Sequence, residues 1–172
     1  MSFKIPVPIF AVIIALMPGI AMAQDSARVN GIYERMSAAY GALDSGAFAN
    51  IYAADAAYLR SGDNPMLFGI DAIIGNFERY FSSLRDRNGR LELMFRVVKR
   101  DCTETLCSDV GWYKLDRFDG EGNLEGTSYG RFLTTPGKSD DGLWRFIADV
   151  DTDANESHWN AATEVDGLHY AE

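Results

Sequence analysis

The chain has 172 residues, with 16 Lys and Arg against 25 Asp and Glu and a formal net charge of -9. An acidic chain with no basic run or basic helix face repels phosphate backbones, so nucleic acid is excluded as an expected partner. The length suits one domain with a full apolar core.

At the N-terminus, Met1-Ser2-Phe3-Lys4 is positive, Ile9 to Met17 is uninterrupted and apolar, Pro18-Gly19 breaks the run, and Ala21-Met22-Ala23 is small-x-small. That order is the pattern of a cleavable secretory signal peptide. The apolar run is shorter than the roughly 20 residues that cross a bilayer. Gln24, not a cysteine, follows the cleavage point, which argues against a lipid anchor. The expected organisation is a signal peptide over 1–23, a folded domain over 24–152 and a polar tail over 153–172. A periplasmic or secreted location follows, with no membrane partner after cleavage.

Asp25 and Ser26 can cap a helix whose stripe is Val29, Ile32, Tyr33, Met36, Tyr40 and Leu43. Ser45-Gly46 ends it, a short helical stretch spans 47–52, and Ala56 to Arg60 reads as a strand closed by Ser61-Gly62-Asp63-Asn64-Pro65. Ile70, Ile73, Ile74, Phe77, Phe81 and Leu84 restore helical spacing, with Asp71 in the first turn. Beyond Asn88-Gly89 the period changes to two, and Leu91, Leu93, Phe95 and Val97 mark a long strand. Further strands are expected over about 108–117, 126–135 and 143–151, separated by Gly-rich turns that include Pro136-Gly137, which makes a four-stranded antiparallel meander. Periodicity is lost after Asp153.

Cys102 and Cys107 are separated by four residues. In an exported chain the pair reads as a disulfide across the end of a hairpin, where opposed Cα atoms lie about 4.5–5.5 Å apart. Two free thiols or half of a metal site are the alternatives, and neither histidine is near enough in sequence to favour zinc. Helices followed by strands give an α+β fold, with N-terminal helices packed on a curved, mainly antiparallel sheet.

Leu43-Asp44-Ser45-Gly46-Ala47-Phe48, then Ile51-Tyr52-Ala53-Ala54-Asp55-Ala56, and Phe68-Gly69-Ile70-Asp71-Ala72-Ile73 carry a family resemblance. So do Gly130-Arg131-Phe132-Leu133-Thr134 and Gly142 to Asp149. In order and spacing these stretches resemble the nuclear transport factor 2-like superfamily, in particular its SnoaL-like and ketosteroid-isomerase-like bacterial members. The resemblance implies a cystatin-like cone, with helices closing the concave face of the sheet over an apolar pocket. Matching Tyr52-Ala53-Ala54-Asp55-Ala56 to the family pattern sets the isomerase branch's catalytic carboxylate at Arg60, which cannot act as a base. Other branches pair a histidine with an acid, but His158 and His169 both lie in the tail.

Strict alternation on the last strand groups Asp149 and Asp151 with Arg145 and Ile147, and Trp144 and Phe146 with Ala148 and Val150. The aromatic face is then expected against the helices and the charged face in solvent. The alternative turns the charged face into the cone, where arginine–aspartate pairs orient an anionic or carbonyl ligand. Candidate catalytic groups are Asp149, Asp151 and Arg131, and candidate pocket residues are Tyr33, Tyr40, Arg60, Trp112 and Tyr129. The run Asp149-x-Asp151-x-Asp153-x-Asn155 lacks the glycine and glutamate of a calcium loop. The expectation is therefore an exported protein binding a small, partly apolar ligand, without cofactor or metal, and forming a homodimer through the outer sheet face. An enzyme with an aspartate base and an interaction module without ligand are its rivals.

Overall fold

A computed structural model describes residues 18–164, with side chains from Arg28 onward. Much of the expected signal peptide, and Val165, Leu168, His169 and Tyr170 of the tail, lie outside the described residues. Among those described, no helix is long and apolar enough to cross a membrane.

Helix α1 covers Pro18–Ala42, and its stripe of Val29, Ile32, Tyr33, Met36 and Ala39 is buried. It is already helical ahead of the Asp25-Ser26 cap suggested by the sequence. A 3-10 turn, Gly46–Asn50, buries Phe48 and leads into strand β1, Tyr52–Leu59. A two-residue strand β2, Leu67–Phe68, follows, then helix α2, Ile70–Arg85, which buries Ile73, Phe77, Phe81 and Leu84. Gly69 precedes α2 with φ of 81°, a backbone state that glycine adopts without steric cost.

The meander follows as β3 (Arg90–Cys102), β4 (Cys107–Phe118), β5 (Leu124–Lys138) and β6 (Trp144–Asp153). The sheet order is β2-β1-β6-β5-β4-β3, and all pairs are antiparallel except β1 with β6. That parallel pair and β2 are not visible in the sequence, because both rest on long-range pairing. Strand β5 also runs through Pro136-Gly137, which the sequence suggests as a turn. Pro136 stands at a register shift, where a residue without an N–H is tolerated.

Helix α1 lies across β3 and β6, and α2 lies against β1. Both therefore cover one face of the sheet, with Leu91, Leu93, Phe95, Val97, Phe132 and Phe146 buried beneath them. Each such side chain contributes about 1.5–3 kcal/mol on burial. The tail contains helix α3, Glu156–Ala161, which packs against β4. Its buried Trp159 sits under the Arg96 guanidinium, 4.3 Å from the ring centre, and so ties an otherwise polar segment down. Cys102 and Cys107 form a disulfide with Cα atoms 4.1 Å apart, paired across the β3–β4 end.

Candidate functional site

A cavity of about 700 Å³ lies between the helices and the concave face of the sheet. Its apolar part is made by Met36 of α1, Phe77 of α2, Leu93 and Phe95 of β3, Phe132 of β5 and Phe146 of β6. A volume of this size accepts a drug-sized molecule.

The polar wall comes from β6 and departs from strict alternation. Phe146 and Asp149 are three residues apart, so plain alternation sends them to opposite faces. Both line the cavity. The pairing explains this: consecutive Thr135 and Pro136 of β5 face Ala148 and Phe146, which leaves Ile147 as an extra, bulged residue. A bulge of this kind re-aims every side chain after it. Thus Phe146, Asp149 and Asp151 share the cavity, and the either-or expected from the sequence is corrected. Arg145 is left outside, paired with Asp141 at 2.9 Å.

Asp149 is 8% exposed and accepts a 2.5 Å hydrogen bond from the Tyr52 hydroxyl. Burial pushes its carboxyl up to about 7; Tyr52 opposes the rise and the Asp151 charge adds to it. Asp151 is raised by burial too, against the Ser61 N–H at 3.2 Å, the charge of Arg60 and the Tyr58 hydroxyl at 3.3 Å. Two further phenols open on the same space. Tyr40 and Tyr113 are both raised by burial and then by Asp151, and among the described residues neither hydroxyl has a hydrogen-bond partner. Tyr113 finds room because its ring lies over Gly130, where a Cβ would come within 2.1 Å of it.

At the other end of the cavity, Tyr33 donates to Asp109 at 2.7 Å and meets the Thr134 hydroxyl at 2.8 Å. The phenol proton is committed to the carboxylate, so Thr134 is the donor of the second bond. The Arg100 guanidinium forks onto both oxygens of Asp109 at 2.7 and 2.8 Å and also reaches Asn30 at 2.7 Å. Arg100 reaches this face because Val98 is bulged out of the β3–β4 pairing. This network joins α1 to the sheet and leaves Tyr33 engaged instead of free for a ligand.

Of the sequence candidates, Tyr33, Tyr40, Arg60, Asp149 and Asp151 come together around the cavity. Tyr129 touches only its rim, with its phenol beside Glu156 and Lys114. Two candidates are corrected. Trp112 is directed to the outer face, where it stacks on His158 at 5.1 Å, and Arg131 is exposed and bonds Thr152 at 2.8 Å. On β4 and β5 the inward positions are Tyr113 and Phe132, one residue away from each. Tyr52, Tyr58, Tyr113, Arg79 and Arg117 line the cavity and were missed. Tyr58, two residues from Arg60 on the expected strand, carried a spacing signal, whereas Tyr52 falls at the end of the expected helical stretch and carried none.

No protein-family model and no curated protein matches this sequence. Solved structures do match its shape. One is ActVI-ORFA from Streptomyces coelicolor, at 13% identity and a TM-score of 0.66, covering 76% of this chain and 97% of that one. A nuclear transport factor 2-like superfamily protein from Salmonella enterica serovar Typhimurium matches at 9% identity and 0.60, covering 81% and 99%. The chain has the nuclear transport factor 2-like fold. A ketosteroid isomerase-like protein from Erwinia carotovora atroseptica matches at 14% identity and 0.57, covering 75% and 95%. In this α+β fold, the concave face that holds Asp149 in the present chain is the inside of the cone.

Proposed function

We propose that the cone binds a small, largely apolar molecule bearing an oxygen function. The observation that carries this reading is the asymmetric lining of one cavity, aromatic and aliphatic on one side and Asp149, Asp151, Tyr40 and Tyr113 on the other. An apolar body is driven in by burial, and the unpartnered phenols reward a ligand oxygen. The leader pattern and the Cys102–Cys107 bridge support export to the periplasm or beyond, and the outer sheet face is the surface offered to a second copy. Thermal-shift measurements with a panel of aromatic and alicyclic ketones, alcohols and acids test the reading. A rise in melting temperature is expected for some members; no rise for any of them overturns it.

A second reading adds catalysis. Asp149 changes charge near neutral pH while buried in the cavity wall, which suits a general base, and Tyr40 and Tyr113 line the same cavity as phenol donors for an enolate oxygen. The reaction class is proton transfer next to a carbonyl. Hydrogen–deuterium exchange at the α-carbon of a bound ketone, followed by NMR, tests it. Exchange that Asp149→Asn removes is expected, and equal exchange in both proteins sinks the idea.

A further inference from the structure

We propose that the molecule held in the cone is an organic anion, with its apolar body on the aromatic floor and its carboxylate-type head among Arg60, Arg79 and Arg117. The inference rests on the cavity being a ligand site and names the class of ligand it takes.

Three arginines line one cavity in a chain of net charge -9. They come from different elements: Arg60 follows β1, Arg79 is on α2 and Arg117 is on β4. Several basic side chains among the described residues pair with a carboxylate, as Arg145 pairs with Asp141 and Arg87 with Glu125 at 2.9 Å. Among the described residues, none of these three arginines makes such a contact. Arg117 donates to Ser128 at 2.8 Å through one nitrogen and also bonds the Tyr80 hydroxyl, two neutral oxygens that leave its charge uncompensated by a carboxylate. Arg117, Arg87 and Arg60 all oppose the rise that burial imposes on the Tyr80 hydroxyl, which lines the cavity as well. A planar guanidinium offers paired N–H groups that match a carboxylate, and sulfonate or phosphate oxygens share that chemistry.

The carboxylates that line the same cavity have partners of their own, and Asp151 also feels the charge of Arg60. Asp149 takes the Tyr52 proton donor, Asp151 takes Ser61 N–H and Tyr58, and Asp153 takes the Ser61 hydroxyl at 3.1 Å. An ammonium head would share the cavity with three guanidiniums. A neutral head would leave their donors to water.

Calorimetric titration with three matched probes tests this: 2-naphthoate, 2-naphthamide and 2-naphthylmethylammonium, at pH 7.5 and two salt concentrations. Naphthoate is expected to bind at least about tenfold tighter than the amide, the effect of roughly one charge-assisted contact, and to weaken with salt. The double variant Arg79→Gln/Arg117→Gln is expected to lose that preference. Arg145→Gln, an outer-face arginine, is expected to keep it. Equal or tighter binding of the amide or the ammonium by the unaltered protein overturns the anion assignment and leaves the cavity reading standing. If none of the three binds, the anion assignment fails on this probe, and the thermal-shift panel separately decides the cavity reading.

Discussion

Tyr52 donates its phenol proton to Asp149 across 2.5 Å, in a position that water hardly reaches. The bond favours the carboxylate, yet burial outweighs it and leaves the group titrating near 7. The folded state therefore holds this proton more tightly than the unfolded chain, whose aspartates ionise near pH 4. The contribution of Asp149 is most favourable below that value and is lost as pH rises from roughly 4 to about 7, by about 2–4 kcal/mol in total. Asp149→Asn cannot ionise. Urea denaturation is expected to show the variant gaining on the unaltered protein by that amount between pH 4 and pH 8, and parallel pH curves would show the carboxyl to be unshifted.

Replacing Tyr52 with phenylalanine removes the hydrogen bond that opposes this rise. The Asp149 carboxyl is then expected to titrate higher still, read directly from its carboxyl carbon shift by NMR.

The buried Asp109 is held by Arg100, Tyr33 and the sheet, with no exposure of its own. Asp109→Ala leaves a cation and a phenol without their acceptor, and a loss of about 3–5 kcal/mol in equilibrium unfolding is expected. A loss below about 1 kcal/mol would mean that water replaces the carboxylate easily.

Leu93 faces the cavity from β3 and is nearly buried. Leu93→Trp is expected to fill the space with little change in stability, about 1 kcal/mol or less. Any ligand found by thermal shift should then lose at least about tenfold in affinity by calorimetry.

The disulfide joins residues five apart and already paired as neighbouring strands. So short a closed loop stabilises by about 2 kcal/mol. Cys102→Ser/Cys107→Ser is expected to melt about 4–8 °C lower while keeping its fold by circular dichroism.

Both long helices and the four strands of the meander are legible in the sequence, because Val29 to Leu43 and Leu91 to Val97 keep clean periods. The cavity residues of α1 were accessible for the same reason. The β6 wall was not. Bulges at Val98 and Ile147 reverse which side faces inward, and nothing local in Lys99-Arg100 or Ala148-Asp149 announces them. Trp112 and Arg131 were misplaced because nothing in the sequence alone fixes which face of a half-buried strand looks inward. The contact of α3 with the outer face depends on Arg96, more than sixty residues from Trp159, and so escaped any window-based reading.

The extra residue at Ile147 also separates two properties of the cone that are usually coupled. Without Ile147, plain alternation keeps Phe146, Asp149 and Asp151 on one face, so the chemistry of the wall survives while the bend in β6 is lost. Substituting Asp149 or Asp151 instead changes the chemistry and leaves the bend. Length changes at 147 thus tune the width of the chamber, and side-chain changes at 149 and 151 tune what it recognises. An engineer reshaping this scaffold for a wider or narrower guest can use the first without giving up the second.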